Sequence, residues 1–491
     1  MSMKKNFTVD GVRLLDPDGK PFLVKGVNAN GPGWVWQRDT LQDADLITDV
    51  WKFNTVRLCM ALGWTWVGDV NRDLDALVDA FTKKGVVVML EVHDFTGRYP
   101  NNKHYGEGFE GTKKGDKEFK EYCTLSEFAD WWADTAKKYK DNPYVWFNIM
   151  NEPGSVPSEQ THKSIKEWLE THDRIIGAIR ATGAENIVVC DEHVWGQGCG
   201  YFRQPTDSAI IVNGAALSTK YDNIVHSLHM YHSWKNGWER LRGYIADARD
   251  QGLCVIIGEF GAGRDDAVTQ NVAQVMFDEC LPASVGRIFW AWDGSDVHQL
   301  TYTRHEGVNT GGGWEIDRTD GQKPGNLSWV GSLIWDDNHD ALTAPVAMYD
   351  APVVANGGFE NGMAVWQNWG GASVSAGTAR DGTTCALKIE KGVGGGVCNK
   401  MMLMPNTNYT LGAWGKNSAS VKRPSEVGAK FKTPAGELKT IKLSFEETDW
   451  TYKTVRFTTP DMKLMSDELI YVYKYDPYAD FYADDIAINK T

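Results

Sequence analysis

Two glutamates each close an apolar run: Glu152 in Val145-Trp-Phe-Asn-Ile-Met-Asn-Glu-Pro153 and Glu259 in Val255-Ile-Ile-Gly-Glu-Phe-Gly261. A strand buried on both faces reads as such a run. A carboxylate at its end therefore stands where core meets cleft. Two carboxylates brought together from different strands are equipped to split a glycosidic bond. One, with a raised pKa, protonates the leaving oxygen, and the other attacks the anomeric carbon.

Similar runs end in further reactive or polar groups. Arg57 follows Asn-Thr-Val, His93 sits in Leu90-Glu-Val-His-Asp94, and Asn151 precedes Glu152. His229-Met-Tyr231 and Trp290-Ala-Trp-Asp293 end two more. Collected at one end of a barrel, Arg57, His93, Asn151, Glu152, His229, Tyr231, Glu259 and Trp292 would face a single cleft. Polar groups are costly to bury unless paired, so such a concentration implies a site. A cationic Arg57 beside Glu259 would keep it charged, and Tyr231 could donate to it. Glu152, behind a drier strand, should hold its proton longer, with the two carboxyls about 5–5.5 Å apart. Trp290, two residues before Trp292, points the same way but deeper and reads as core packing ahead of a ligand contact. Metal catalysis is the rival reading for the histidines and glutamates. It is disfavoured because His229 and His232, three apart on a strand, face opposite sides and lack the usual zinc spacing.

Positioning these groups takes eight strands. The runs Phe22–Asn30, Thr55–Leu62, Val86–Asp94, Val145–Pro153, Ile187–Trp195, Ile224–His232, Val255–Gly261 and Arg287–Asp293 alternate with amphipathic stretches. That pattern predicts a (β/α)₈ TIM barrel. An open doubly wound sheet would want a GxGxxG turn after the first strand, and the sequence there is Asn28-Ala-Asn-Gly-Pro-Gly-Trp34. Long segments follow the third and eighth strands, at Phe95–Thr124 and Gly294–Leu327. In a barrel these border the cleft. A linker is expected at 343–352, dividing a catalytic domain at 1–342 from a domain at 353–491. In the latter, short alternating segments predict a β-sandwich of jelly-roll type.

The chain has 491 residues, enough for two domains, and 57 aromatic residues (21 Trp, 18 Tyr, 18 Phe). Aromatic faces line sites that grip sugar rings as well as cores. A net charge of -14 argues against nucleic acid as a partner. No run of apolar residues is long enough to span a membrane. The start, Met1-Ser-Met-Lys-Lys-Asn-Phe7, has no apolar stretch behind its lysines. The expectation is a secreted protein whose signal lies outside this sequence, with a cytoplasmic one as the alternative. The 8 cysteines show no metal-ligand spacing. Cys59, Cys190 and Cys254 read as buried thiols, and a Cys385–Cys398 bridge across a hairpin is a minority reading.

Residues 20–340 or so resemble family 5 glycoside hydrolases of the large retaining clan, through Asn-Glu-Pro at the fourth strand and Gly-Glu-Phe-Gly at the seventh. The resemblance implies that Glu152 is the acid/base, Glu259 the nucleophile and Asn151 a ligand of the sugar 2-hydroxyl. It makes Arg57, His93, His229 and Tyr231 supporting polar residues and Trp292 an aromatic floor, with no cofactor for catalysis. Val24-Lys-Gly-Val-Asn28, Leu90-Glu-Val-His-Asp94, Val194-Trp-Gly-Gln197 and Leu327-Ser-Trp-Val-Gly331 resemble the family's bacterial β-mannanases. This implies Trp195 and Gln197 as sugar contacts and β-mannan or a related plant polysaccharide as substrate. Trp34 and Trp36 read equally as distant subsites or rim packing. The long third and eighth loops depart from that pattern and leave an endo-β-1,4-glucanase, or another family 5 β-glycanase, as the alternative. A non-catalytic carbohydrate-binding protein would require a lost glutamate, and both are present.

Residues 353–491, from Asn356-Gly-Gly-Phe-Glu-Asn361 to Phe481-Tyr-Ala-Asp-Asp-Ile-Ala487, resemble jelly-roll carbohydrate-binding modules. The resemblance implies a structural calcium held by Glu360 and Asp485, whose oxygens suit that ion. Trp366, Trp369, Trp414, Tyr475 and Tyr478 are candidates for stacking on sugars, with core packing the competing role for each.

Overall fold

The computed structural model describes residues 6–34, 38–62, 72–100, 124–154, 161–198, 205–294, 298–339 apart from 306, 307 and 310, and most of 354–490. Trp36, most of the segment after the third barrel strand and the expected linker lie outside these residues. The chain divides into two compact units, 1–275 with 285–338, and 339–491 with 276–284.

The first unit opens with a hairpin, β1 (Thr8–Asp10) and β2 (Arg13–Leu15). Eight strands follow: β3 (Lys25–Asn30), β4 (Thr55–Met60), β5 (Val87–Val92), β6 (Val145–Asn148), β7 (Val188–Asp191), β8 (Ile224–Met230), β9 (Val255–Phe260) and β10 (Gly286–Phe289). They close into a parallel barrel in the order β10-β3-β4-β5-β6-β7-β8-β9. Nearly every residue in them is buried, which is why they read as apolar runs. Each strand is followed by a helical segment. The first is a short turn, Leu46–Val50, and the rest are α1 (Leu74–Thr82), α2 (Leu125–Tyr139), α3 (Thr161–Ala181), α4 (Ala209–Lys220), α5 (Trp238–Asp250), α6 (Ala267–Ala283) and α7 (Trp329–Asn338). Local sequence sets where they start. Asp73 caps α1 by accepting from Asp75 and Ala76 N–H groups, and Thr124 with Glu127 forms a reciprocal capping box on α2.

Inside the barrel the side chains are layered. Val24, Val87, Met89, Trp146, Ile187, Val189, Val225, Ile256 and Ile288 fill the N-terminal half, and Phe7 joins them from below. Phe7 meets Phe22, Tyr144 and Trp146 edge-on at 5.0–5.3 Å. This packed plug leaves the C-terminal end of the strands as the only place where inward-facing polar groups can gather.

A small pair, β11 (Arg304–His305) and β12 (Val308–Asn309), lies in the segment after β10. The second unit holds β13 (Gln367–Gly370), β14 (Val374–Ala376), β15 (Leu387–Ile389), β16 (Gly395–Lys400), β17 (Asn408–Asn417), β18 (Ser425–Lys432), β19 (Leu438–Phe445), β20 (Thr451–Thr458), β21 (Ser466–Lys474) and β22 (Phe481–Lys490). They form two five-stranded antiparallel sheets, β13-β16-β21-β18-β19 and β14-β15-β22-β17-β20. Phe359, Leu387, Val397, Leu411, Val427, Phe445, Val472 and Phe481 are among the residues of the core they share. Cys385 and Cys398 are free thiols, so the bridge weighed between them is not formed; Cys398 sits within β16, paired to strands on both sides.

Candidate active site

Strand period two sends alternate residues into the barrel, and above the apolar plug those residues are polar. Arg57, at the centre, is fully buried and spends all five N–H donors. Nε donates to Asn148 Oδ1 (2.6 Å), Nη1 to Asn28 Oδ1 (2.9 Å) and Glu259 Oε1 (2.8 Å), and Nη2 to Asn151 Oδ1 (2.8 Å) and Asp191 Oδ2 (3.1 Å). Glu91 stands 3.6 Å away. Burial would lower the Arg57 pKa, but Glu91, Asp191 and Glu259 outweigh it and hold it above its ordinary value.

Glu259 accepts from Arg57 on one oxygen and from the Tyr231 hydroxyl on the other at 2.8 Å. Burial, with the charge of Glu259, keeps the Tyr231 phenol protonated far above its ordinary range. Glu152 is held differently. Among the described residues its one side-chain partner is His229, with Nδ1 2.9 Å from Oε1. Burial pushes its pKa up; the His229 N–H opposes this and the charge of Glu259 adds to it, leaving a raised value. The two carboxyls are thus held unlike each other: Glu259 accepts from two strong donors, while Glu152, with its raised pKa, holds its proton longer. Oxygens of the two come within 4.8 Å of each other. That matches the short spacing of retaining enzymes, about 5–5.5 Å, rather than the 6.5–9.5 Å of inverting ones.

The backbone at Glu152 is unusual, with φ of 43°, a left-handed value uncommon outside glycine. Gly97 N–H donates to its carbonyl at 2.7 Å. Asn151 donates to Thr96 Oγ1 (2.8 Å) and faces His93 Nε2 (3.3 Å), while His93 Nδ1 lies 3.1 Å from Glu91.

Residues 15–296 match the family described as cellulase (glycosyl hydrolase family 5), and residues 351–476 match a carbohydrate binding domain. The chain belongs to glycosyl hydrolase family 5. Among its curated relatives, the mannan endo-1,4-beta-mannosidase of Streptomyces lividans is 27% identical over 344 residues, covering 69% of this chain and 76% of the relative. That of Cellvibrio japonicus is 25% identical over 328 residues, covering 65% and 68%. The solved β-mannanase from Thermomonospora fusca is alike in fold, with 24% identity, 67% of this chain and 94% of that chain covered, and a TM-score of 0.50.

In this family 5 glycoside hydrolase the burial of the two strand-eight tryptophans is the reverse of that expected. Trp292 is 1% exposed, donates to Asp43 (2.9 Å) and packs edge-on against Trp51. It is an anchor behind the cleft and not its floor. Trp290 is partly exposed, lies nearly parallel to the His93 ring (5.6 Å, 28°) and meets Trp34. Ile288 faces the barrel interior, so period two carries Trp290 inward. Beyond it the chain turns, with Trp292 N–H donating to Asn28 O, and Trp292 swings out of the layer. Trp34 itself is buried against His93, which settles it as packing.

Trp195 and Gln197 sit on a loop folded over His229. Gly196 lies so close that an added Cβ would come 2.6 Å from the His229 ring, and Trp195 covers Gly97 in the same way at 2.7 Å. Gln197 Oε1 accepts from the Ser233 hydroxyl. The loop is fixed by Glu192, a buried carboxylate accepting from Ser208 O–H and from the backbone of His193, Ala209 and Ile210 at the start of α4. Burial pushes Glu192 up to about 7 despite these donors.

Asn28, Glu91, Asn148, Asp191 and Glu192 were not singled out from sequence. All five are polar residues inside or beside apolar strand runs. A polar residue at even spacing within such a run is the signal that would have found the first four.

In the second unit, Glu360 accepts from Cys385 N–H, and Asp485 is ion-paired with Arg380. A Cβ on Gly358 would lie 3.4 Å from Asp485 Oδ1 and 3.8 Å from Glu360 Cγ, so both carboxylates border one glycine-lined corner. Both carboxylates are oxygen donors of the kind calcium takes, and Arg380, ion-paired with Asp485, is a competing cation. Of the stacking candidates, Trp366 is buried and Trp414 lies beneath Arg380. Tyr475 donates to Glu426, and Tyr478 is exposed. Trp369 is open to solvent beside Tyr471 and Tyr473, with Lys430 4.2 Å over its ring.

Proposed function

We propose that this chain hydrolyses internal β-1,4-mannosidic bonds of mannan, galactomannan or glucomannan, with retention, outside the cell. The observation that carries the chemistry is the close, unlike pair of carboxyls: Glu259 tied to a cation and a phenol, Glu152 tied to His229. Glu152 protonates the leaving glycosidic oxygen as Glu259 attacks the anomeric carbon and forms a glycosyl ester. Glu152, now a carboxylate, takes a proton from water as the water attacks that carbon and frees Glu259. Trp290 supplies the apolar face beneath the sugar, and Asn151 trades a present contact for the 2-hydroxyl. The mannosidase relatives support the substrate, and the carbohydrate-binding match of the second unit supports a polymeric one.

Mannose and glucose differ at the 2-hydroxyl, where Asn151 acts. A site built to hydrogen-bond one position rejects the other because its polar groups are left unpaired. We expect kcat/KM on manno-oligosaccharides to exceed that on matching cello-oligosaccharides by at least about a hundredfold. Comparable rates, or faster glucan cleavage, assign the chain to the endoglucanases instead.

The proposal includes a calcium ion at Glu360 and Asp485. If it binds there, EGTA lowers the Tm of the second unit and added calcium restores it. An unchanged Tm makes Arg380 the permanent counter-charge of that corner.

A further inference from the structure

We infer that Asp191 is a positioning residue for the acid/base, gripping Glu152 at both its backbone and, through His229, its carboxyl. The inference rests on the reading of Glu152 as the proton donor. Asp191 ends β7 and is fully buried. Its Oδ1 accepts from Asn148 Nδ2 at 2.8 Å. Its Oδ2 accepts the Glu152 backbone N–H at 3.3 Å and stands 3.2 Å from His229 Nε2. The other His229 nitrogen is the one that meets Glu152 Oε1. A circuit of close contacts therefore runs from Asp191 through the His229 ring to the Glu152 carboxyl, and back through the Glu152 amide; its Asp191–His229 member is a charge contact and not an aligned hydrogen bond.

That circuit answers a physical need. Glu152 lies beyond the end of β6 in a left-handed backbone conformation; an isolated bridge between Thr96 and Pro153 and the Gly97 N–H hold its carbonyl side, and Asp191 meets its N–H. Serving only as a counter-ion to Arg57 would not require Asp191, since Glu259 and Glu91 already flank that guanidinium. The grip on the Glu152 amide and on His229 has no such substitute among the described residues. The charged and titratable groups around His229 are Glu152 on the loop after β6, Asp191 on β7 and Glu259 on β9, at 2.9, 3.2 and 3.6 Å. Arg57 on β4 bonds two of them, and Tyr231 follows on the same strand end. Burial alone would lower the His229 pKa, but Glu259, Asp191 and Glu152 raise it to about 10. The ring is then an imidazolium at neutral pH, with Nδ1 facing Glu152 at hydrogen-bond distance and Nε2 in charge contact with Asp191. Burial works against ionisation of Asp191, yet His229 and Arg57 hold it well below the usual carboxylate range.

The test compares Asp191→Asn with Glu152→Ala on two substrates. One is the natural oligosaccharide, whose leaving group needs a proton. The other is a 2,4-dinitrophenyl glycoside, whose leaving group does not. Glu152→Ala should lose kcat/KM on the first far more than on the second. Asp191→Asn should show the same leaving-group dependence, falling about 10²-fold on the oligosaccharide, as for a displaced catalytic group, and only a few-fold on the aryl glycoside. Equal losses for Glu152→Ala overturn the acid assignment and this inference with it. Leaving-group dependence for Glu152→Ala but not for Asp191→Asn overturns the inference alone. Nitrogen-15 spectra of the wild-type protein, assigned with His229→Gln, give an arm that holds even if Asp191→Asn fails to fold. His229 should carry protons on both nitrogens at pH 8, and a neutral ring there overturns the bridge. In a folded Asp191→Asn protein its titration midpoint should drop by at least about one pH unit, a shift that a purely structural role would not produce.

Discussion

Glu259→Ala should leave no measurable turnover, and azide should restore it while inverting the anomeric configuration of the product. The alanine vacates the side of the sugar from which Glu259 attacks, and a small anion can enter the space and make a single displacement. Glu152, still in place, protonates the leaving oxygen. Glu152→Ala behaves otherwise. Loss of a positioned general acid costs about 10²–10⁴-fold, and azide then attacks the glycosyl ester on Glu259, giving a glycosyl azide of retained configuration. The two rescue products distinguish the roles because the first forms by one inversion and the second by two. Product anomers read by proton NMR check the assignment. Substantial activity in either variant, or the same azide product from both, contradicts it.

Much of the barrel is legible in the sequence because its strands are buried on both faces, so β-branched runs mark them without ambiguity. Glu152 and Glu259 stand out because each interrupts such a run at its open end. Asp191 and Glu91 are as important to the charge balance, yet each lies inside a run and is masked by its apolar neighbours. Only the closed barrel shows that positions 57, 91, 148 and 191 point at one another. The reversed burial of Trp290 and Trp292 has a similar origin: period two holds to the end of β10, and the turn beyond it follows from packing against Asp43 and Trp51. In the second unit, Thr451–Thr458 alternates cleanly and was legible. Gln367–Gly370 is exposed along its length and Gly395–Lys400 is glycine-rich, so neither offers an alternating pattern.

Arg57→Met should destabilise the barrel unit by about 3–5 kcal/mol at neutral pH, the range for removing one partner of a buried ion pair, and should also suppress turnover. The methionine fills the space but leaves Glu259, Asp191 and Glu91 facing each other without their cation, and three amide oxygens, of Asn148, Asn28 and Asn151, lose an N–H donor. Arg57→Lys recovers little, since a single ammonium cannot meet five acceptors arranged for a planar fork. The loss depends on pH in a defined direction. Asp191 is held below its unfolded value by His229 and Arg57, so its contribution is present above about pH 4 and fades as pH falls through its folded pKa. His229 contributes in the opposite sense. Its pKa is raised to about 10, so its share is complete below about 6.5 and disappears as pH climbs through 10. Removing Arg57 acts on the carboxylate side, because protonating the stranded acids relieves their repulsion. The stability gap between wild type and Arg57→Met should therefore be widest near pH 7 and narrow towards pH 4. Urea unfolding followed at both pH values measures it. A gap that is equal at the two, or that stays below about 1 kcal/mol as for a surface pair, would mean that Arg57 fills space and does not hold the charges of the site together.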